Sequence, residues 1–164
     1  MMFTDMQGFT DMTQRLGDRK GLEVLLTHNR ILREHLSKYE GHEQDSAGDG
    51  FFSVFQSCRQ AVACAVSLQL TLAAYNAEHP EQPIRVRCGL SVGEPLQKDE
   101  DGGYYGRAVI EGARISAKAN GGQIFVSELV QAMLRPSGDF EFRAVGAFDL
   151  KGLPGQHTIY EVVW

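Results

Sequence analysis

The chain has 164 residues, of which 43% are hydrophobic, and this is enough to bury the core of one domain covering residues 1–164. Its 21 acidic residues outnumber its 16 Lys and Arg residues, so the net charge is -5 and nucleic-acid binding is not expected. No apolar run reaches the roughly 20 residues that cross a bilayer, and the start lacks the regions of a signal peptide. The three cysteines show no pairing pattern, which predicts reduced thiols and a cytoplasmic location. Because no apolar run is long enough to span a bilayer, we expect no membrane contact by this domain. A membrane anchor outside this stretch remains an open alternative.

The beginning of the chain predicts one strand and two helices. Residues 1–6 read as a short buried strand, and residues 11–16 predict a short helix after a glycine-containing turn. Residues 21–40 predict a longer helix because their apolar positions mostly keep to one face. Gly41 then ends this helix.

A β-hairpin and a capped helix are predicted next. Residues 43–47 and 51–55 flank the turn Gly48-Asp49-Gly50, which is a strong hairpin signal. Ser57 is followed three residues later by Gln60, and this spacing is typical of a capping box at the start of a helix.

The second half of the chain alternates strands and helices. Its first strand has the clearest alternation of apolar and polar residues in the sequence. The predicted elements are strand 84–92, the glycine-rich acidic connection 98–103, helix 106–119, strand 123–126, a helix from Ser127 to residue 134, and strands 141–149 and 157–163. Hairpin and crossover units alternate in this order, which predicts an α+β fold. We expect a ferredoxin-like (βαββαβ) sandwich with a mixed, mostly antiparallel sheet and helices on one face.

Two aspartates stand where a folded sheet would present them together. Asp5 lies near the end of the first strand, and Asp49 lies at the hairpin tip between two glycines. If the first strand pairs beside the hairpin, both carboxylates reach one edge of the sheet and can hold one or two Mg²⁺ or Mn²⁺ ions. The spacing alone leaves an alternative open, because Asp beside Gly is also common in ordinary turns.

Three cations and one glycine are candidates for binding phosphate. Arg87 points away from the apolar face of its strand, Arg114 lies on the predicted helix 106–119, and Lys151 precedes a turn. Gly8 follows the first strand, where exposed backbone N–H groups can hold phosphate oxygens. Taken singly, each cation can also be a solvated surface residue, and Gly8 can be part of an ordinary tight turn. The sequence contains no G-x-S-x-G elbow and no histidine pair with metal-ligand spacing.

Six segments together resemble one protein family. The segment FTDMQGFT at residues 3–10 resembles the F-x-D-[IM]-x-G-[FS]-T opening of class III adenylyl and guanylyl cyclase catalytic domains. The segment GDGF at residues 48–51 resembles the hairpin motif of the same family. Four further segments resemble the R-x-G-[LI]-x-x-G-[ED] strand, the F-G-x-x-V-N-x-A-x-R helix, the G-x-I-x-V-S strand and the L-K-G closing motif of that family, at residues 87–94, 105–115, 121–127 and 150–153.

The resemblance implies a two-metal site and a reaction. Asp5 and Asp49 would bind two Mg²⁺ or Mn²⁺ ions, with the carbonyl of Met6 as a further ligand. Family members convert a nucleoside triphosphate into a 3′,5′-cyclic nucleotide and pyrophosphate, because the ribose 3′-hydroxyl attacks the α-phosphate. The turn formed by Gly8, Phe9 and Thr10 would lie at the phosphates.

The resemblance also implies a dimer. Family members work as head-to-tail dimers, either of identical chains or with a related cyclase domain, and each active site lies at the interface. Arg87 and Lys151 would contact the phosphates, and Arg114 would stabilise charge on the phosphate under attack. The metal carboxylates would come from one chain, whereas Arg114 and Lys151 would come from the other. The roles are those of phosphoryl transfer in general, namely positioning and charge stabilisation.

Three positions depart from the pattern of adenylyl cyclases. Asp45 stands where they carry a Lys that reads adenine, and Gly103 stands where they carry an Asp that reads the base. Ile110 stands where an Asn orients the ribose, and its side chain cannot form hydrogen bonds. An ionised carboxylate only accepts hydrogen bonds, so Asp45 suits the N1 and N2 donors of guanine better than adenine. We therefore expect weak base selectivity or a modest preference for guanine, and slow turnover.

Two other functional interpretations stay open at this point. The three departures favour a cyclase-like module that binds a nucleotide or dimerises with little or no catalysis, while the presence of Asp5 and Asp49 speaks against it. Another phosphoryl-transfer enzyme on a similar sheet, such as a diguanylate cyclase, would carry a G-G-[DE]-E-F hairpin tip. The segment AGDGF at residues 47–51 lacks the second acidic residue of that tip.

Overall fold

The computed structural model describes residues 1–97 and 103–164. The predicted connection 98–103 lies outside these residues except for Gly103. The described helices are α1 Phe9–Leu16, α2 Asp18–Lys38, α3 Cys58–Glu78, α4 Arg107–Ser116 and α5 Glu128–Leu134. The described strands are β1 Met2–Met6, β2 His42–Ala47, β3 Gly50–Val54, β4 Val86–Leu90, β5 Leu96–Gln97, β6 Tyr104–Tyr105, β7 Ile124–Ser127, β8 Glu141–Asp149 and β9 Gln156–Val163.

Seven of these strands form one mixed sheet. Their order is β2-β3-β1-β4-β7-β9-β8, and β5 pairs with β6 in a separate two-stranded ribbon. Within the described residues, β4 and β7 pair in parallel, and the other paired strands are antiparallel. The predicted α+β class with a mostly antiparallel sheet is therefore confirmed. Sequence patterns did not predict β5 and β6.

The two faces of the sheet carry different packing. On β4, Val86, Cys88 and Leu90 are buried in the main core, which also includes side chains of α1, α2, α3 and α5. Gly89 faces the other side, where a β-carbon would lie 2.2 Å from the backbone nitrogen of Ser116 at the end of α4. Only glycine permits so close an approach of helix and strand. The predicted layer of helices on one face thus holds for four helices, while α4 packs on the opposite face.

Serine side chains cap the N-termini of two helices. Ser57 accepts a hydrogen bond from the backbone N–H of Gln60 at the start of α3, which is one half of the predicted capping box. The side chain of Gln60 donates to Glu40 in place of the second half. Ser127 accepts one from the N–H of Val130 at the start of α5. These local caps explain why the starts of both helices were predictable from sequence.

The cysteines are free thiols, as predicted. Cys64 and Cys88 are buried and Cys58 is partly buried. Burial raises the pKa of Cys64 and of Cys88 to about 12, so both remain protonated and unreactive at neutral pH. Separately, no helix within residues 1–97 and 103–164 combines the length and apolar character needed to cross a bilayer.

Candidate active site

Asp5 lies on the face of β1 that is turned away from the main core. The neighbouring Thr4 and Met6 are buried on the core side, as the alternation of a strand requires. Since the side chain of Met6 points into the core, only its backbone is available to a ligand beside Asp5. On one side β1 pairs with β4, and on the other side it pairs with β3 of the hairpin.

Asp49 lies at the tip of the hairpin, beside the end of β1. The register pairs Thr4 with Phe51, which brings the hairpin turn next to Asp5 and Met6. A β-carbon built on Gly50 would lie 3.8 Å from Oδ1 of Asp5, so this oxygen faces the hairpin. The structure thus brings Asp5 and Asp49 together at one edge of the sheet, where the sequence predicted them.

The surroundings of Asp49 disfavour its negative charge. Burial is the main reason that its pKa is raised, and the nearby charge of Asp5 raises it further. Hydrogen bonds from the backbone N–H groups of Asp49 itself and of Met6, together with the charge of His28, act to lower the pKa without cancelling the effect. A bound cation would relieve both the burial cost and the repulsion between the two carboxylates.

The donor set at this edge fits Mg²⁺ or Mn²⁺. Both ions prefer oxygen ligands, and Mg²⁺ in particular is often held by one or two carboxylates together with substrate phosphates. Asp5 and Asp49 supply two such carboxylates. In the described ranges 1–97 and 103–164 no group of three or more His, Cys, Asp and Glu side chains is arranged to hold a metal. The edge therefore suits ions that complete their coordination with a phosphate ligand and water.

Arg87 contacts Asp5 directly. The register places the two residues opposite each other on β4 and β1. Nε of Arg87 donates a hydrogen bond of 2.8 Å to Oδ2 of Asp5, and Nη2 donates to the same oxygen. The sequence predicted Arg87 as a phosphate ligand. The structure places Arg87 beside the two aspartates, where its guanidinium is hydrogen-bonded to the carboxylate of Asp5.

The turn after β1 has the form of a helix start. Gly8 is the N-cap of α1 with φ of 76°, a left-handed conformation that favours glycine. No side chain caps this helix start, and Phe9 and Thr10 form its first positions. Gly8 and Thr10 are exposed and Phe9 is partly buried, so the turn is accessible next to Asp5 and Asp49.

Arg114 and Lys151 lie together, in a different part of the molecule from the two aspartates. Nε of Arg114 donates a hydrogen bond of 3.2 Å to the backbone carbonyl of Lys151, and both residues are exposed. Lys151 follows β8, which is the outermost strand on the opposite side of the sheet from the hairpin strands β2 and β3. Between β8 and β1 the sheet contains β9, β7 and β4.

Two of the three departing positions are placed on the face of the sheet that carries Asp5 and α4. Asp45 is exposed and pairs with Phe52, whose ring stacks on Phe3 with 4.5 Å between the centroids. Ile110 is partly buried on α4, which packs close to Phe3 through Gly112. Gly103, the third departing position, precedes β6 and is partly buried.

Sequence reasoning missed one residue behind the site. His28 of α2 is fully buried and meets the ring of Phe51 edge-on, with 5.8 Å between the centroids. Its Nδ1 contacts Oδ1 of Asn29 at 2.9 Å, and no partner is present for its Nε2. Burial lowers the pKa of His28, although the charges of Asp49 and Asp5 act to raise it. The apolar spacing of α2 gave no signal for a polar residue at this position.

Nearly the whole chain is similar to known proteins. Residues 1–163 match the family model described as the adenylate and guanylate cyclase catalytic domain. The serine/threonine-protein kinase pkn2 of Myxococcus xanthus is 29% identical over 161 residues, which cover 98% of this chain and 19% of that protein. The putative adenylate cyclase 3 of Rhizobium meliloti is 28% identical over 156 residues, covering 93% of this chain and 26% of that protein.

One solved structure illustrates the likeness in fold. The adenylyl cyclase CyaB from P. aeruginosa superposes with a TM-score of 0.86 and 20% identity, covering 99% of this chain and 91% of that chain. The chain spans 19% and 26% of the length of the two curated relatives, so it corresponds to one part of each of them.

Proposed function

Since the chain belongs to the adenylate and guanylate cyclase catalytic domain family, we propose that it converts a nucleoside triphosphate into a 3′,5′-cyclic nucleotide and pyrophosphate. Residues 1–164 would form one catalytic domain with a signalling role. The free thiols are consistent with a reducing compartment, and we place the domain in the cytoplasm on that ground.

The observation that carries the proposal is the meeting of Asp5 and Asp49. Two strands and a hairpin turn bring these carboxylates to one edge, and the pKa of Asp49 responds to the charge of Asp5. We propose that Asp5, Asp49 and the backbone carbonyl of Met6 hold two Mg²⁺ or Mn²⁺ ions. Such ions, when bound, neutralise phosphate charge and make a ribose hydroxyl more acidic.

The remaining side chains would position the triphosphate. The exposed turn at Gly8, Phe9 and Thr10 offers backbone N–H groups to phosphate oxygens next to the carboxylates. Arg87 lies at the same edge and has the planar donor pattern that suits phosphate. The 3′-oxygen would form a bond to the α-phosphorus with loss of the hydroxyl proton, while the bond to the bridging oxygen breaks and pyrophosphate leaves.

We propose that a second copy, or a related cyclase domain, completes the site. Lys151 follows β8, which three strands separate from β1, and the side chain of Arg114 is hydrogen-bonded to the carbonyl of Lys151, so we infer that one chain presents this pair of cations away from its own two carboxylates. A head-to-tail dimer would bring the Arg114–Lys151 pair of one copy to the carboxylates of the other. Arg114 would then stabilise the charge that develops on the phosphate under attack.

Asp45 supports a modest preference for GTP over ATP. Its carboxylate is exposed on β2, on the same face as the stacked rings of Phe3 and Phe52. An ionised carboxylate accepts hydrogen bonds from the N1 and N2 donors of guanine, whereas adenine offers one amino group beside an acceptor. Without a side chain at Gly103 the reading of the base stays incomplete, so we expect discrimination to be weak.

The function is tested by direct product analysis. The purified domain is incubated with each of the four ribonucleoside triphosphates and with Mn²⁺ or Mg²⁺, and cyclic nucleotide is measured. We expect product with GTP and ATP from the parent chain and none from Asp5→Ala or Asp49→Ala. Asp139→Ala serves as a matched control, because Asp139 forms an exposed ion pair with Arg59 on the surface and such pairs contribute little to stability.

A second candidate function is supported by Ile110. This side chain lies on α4 where the family pattern has a ribose-orienting Asn, and it offers no hydrogen bond. The candidate is a nucleotide-binding or dimerising module with little or no catalysis. Metal-dependent binding of a triphosphate without any cyclic product would favour it over the first proposal.

A further inference from the structure

The two carboxylate oxygens of Asp5 have different partners. Oδ2 accepts both hydrogen bonds from Arg87, whereas Oδ1 faces Gly50 and the hairpin that carries Asp49. A cation held between Asp5 and Asp49 at Oδ1 leaves the ion pair with Arg87 in place. A cation bound at Oδ2 competes with Arg87 for the same oxygen.

We propose that Arg87 closes one of the two cation positions in the nucleotide-free chain, and that the arriving triphosphate opens it by drawing Arg87 onto phosphate oxygens. This inference rests on the proposed function, because it concerns the same metal and phosphate site. It adds an order of events: one cation position is available from the start, and the other becomes available with the substrate. Arg87 thereby couples metal binding to nucleotide binding.

The exposure of the ion pair makes this exchange feasible. The side chains of Arg87 and Asp5 are 31% and 33% exposed, so the guanidinium can leave the carboxylate without disturbing the core. Ion pairs with such access to water contribute little net stability. A triphosphate carries more negative charge than one carboxylate and also matches the planar donors of arginine, so it competes effectively for Arg87.

The sheet register keeps the exchange reversible. Arg87 is the direct cross-strand neighbour of Asp5, and the pairs on either side of them, Thr4 with Cys88 and Met6 with Val86, hold buried side chains in the core. The backbone distance between Arg87 and Asp5 is therefore fixed. When the phosphates leave, the guanidinium has the same carboxylate within reach.

The test measures Mn²⁺ binding in the absence of nucleotide, by the electron paramagnetic resonance signal of free Mn²⁺. Because Arg87 closes one of the two positions in the parent, Arg87→Met should bind a second Mn²⁺ ion per chain. Its Mn²⁺ affinity should also rise by about tenfold, which is the low end of the one to three powers of ten by which a neighbouring opposite charge changes the proton affinity of a carboxylate. Arg85→Met is the matched control: it removes the same charge two residues away, from an exposed side chain just before β4. Arg87→Lys, which keeps the charge but loses the two-bond geometry, should fall between the parent and Arg87→Met.

A second titration adds guanosine 5′-(α,β-methylene)triphosphate, which forms no cyclic product. It should raise the Mn²⁺ affinity of the parent more than that of Arg87→Met. Equal Mn²⁺ affinity in Arg87→Met and Arg85→Met would overturn the inference. Mn²⁺ binding that is the same in Asp5→Ala as in the parent would overturn it as well. If Mn²⁺ binding follows the expected order but no cyclic nucleotide forms from any triphosphate, the proposed function fails while the role of Arg87 stands. Thermal unfolding of each variant verifies that it is folded.

Discussion

Arg114 donates a hydrogen bond from its Nε to the backbone carbonyl of Lys151, so the helix α4 fixes the turn that follows β8. Leu150 and Ile115, the neighbours of these two residues, are buried together in the smaller core cluster. The two exposed cations are therefore presented as one unit on a packed support. A partner molecule that contacts Arg114 is therefore expected to contact Lys151 as well.

Changing Asp45 should change the choice of base. In Asp45→Lys an acceptor is replaced by a donor, which favours the acceptor edge of adenine over the donor edge of guanine. We expect the ratio of kcat/KM for GTP to that for ATP to fall about tenfold or more, because a hydrogen bond to a charged group is worth about 1.5–3 kcal/mol and about 1.4 kcal/mol corresponds to a factor of ten. The ratio is measured by direct competition of the two substrates.

Asp45→Asn is the control for this change in base choice. It removes the charge while it keeps an acceptor, so it should weaken the preference without reversing it. Because Asp45 is exposed, the free energy of unfolding of both variants should lie within about 0.5 kcal/mol of that of the parent. A ratio that is the same in all three proteins would show that Asp45 does not contact the base.

Restoring an amide on α4 should accelerate turnover. Ile110→Asn supplies a hydrogen-bonding side chain where Ile110 supplies none, and one positioned group of this kind is typically worth about 10²–10³ in kcat. The expected change is in kcat rather than in KM, because the contact acts in the transition state. The cost to the helix should be below about 0.7 kcal/mol. Ile110→Leu should leave kcat unchanged, and an equally slow Ile110→Asn would mean that ribose orientation does not limit the rate.

Asp49→Asn should separate activity from stability. The variant keeps an oxygen that accepts the hydrogen bond from Met6, but it lacks a charge for a metal, so product formation should fall at least about 100-fold. Since burial and Asp5 raise the pKa of Asp49, its ionisation opposes folding. The stabilisation by the neutral form is present below the ordinary Asp pKa and is lost as the pH rises through the folded-state pKa.

Urea unfolding of the metal-free proteins measures this effect. At pH 7 the free energy of unfolding should be higher for Asp49→Asn than for the parent, because the variant cannot ionise at this position. The difference should shrink as the pH falls from the raised folded-state pKa of Asp49 towards the ordinary Asp pKa of about 3.9, because the folded parent then carries Asp49 in its neutral form. A variant less stable than the parent at pH 7 would contradict this interpretation of the site.

Lowering the pH should destabilise the fold through His28. Burial lowers the pKa of this histidine in the folded state, so its contribution to stability is present above the unfolded-state pKa of about 6.5 and is lost as the pH falls. The free energy of unfolding should therefore be lower at pH 5.5 than at pH 7.5. In His28→Leu, which removes both the charge and the unpartnered Nε2, this difference should shrink.

His79→Gln is the matched control for the pH effect, because His79 lies exposed at the end of α3. It should retain the pH dependence of the parent. Equal pH dependence in His28→Leu and in the parent would mean that another group is responsible.

Local signals made much of the fold predictable. The turn Gly48-Asp49-Gly50 specified the hairpin, and the serines at positions 57 and 127 marked where α3 and α5 begin. These features depend on residues a few positions apart, and the sequence displays them directly. The alternation at residues 84–92 likewise separated the core side of β4 from the side that carries Arg87.

Features that depend on pairing between distant segments were not predictable in the same way. The register that sets Arg87 opposite Asp5 joins residues 82 positions apart, and no pattern in either strand encodes it. The placement of α4 on the second face depends on Gly89, whose lack of a side chain matters only once Ser116 approaches it. His28 was missed because its burial depends on the hairpin packing over α2.

The most direct test of the composite site is complementation between two inactive variants. Asp5→Ala lacks the metal half and Arg114→Ala lacks the cation half, so each alone should lose at least about 100-fold in activity. If carboxylates and cations come from different copies, an equal mixture forms heterodimers with one intact site, and activity should return to about one quarter of the parent's. A mixture of Asp5→Ala with Asp49→Ala, both defective in the same half, should stay inactive. An Asp5→Ala and Arg114→Ala mixture that stays equally inactive although the two chains exchange, or an Arg114→Ala variant as active as the parent, would contradict the account.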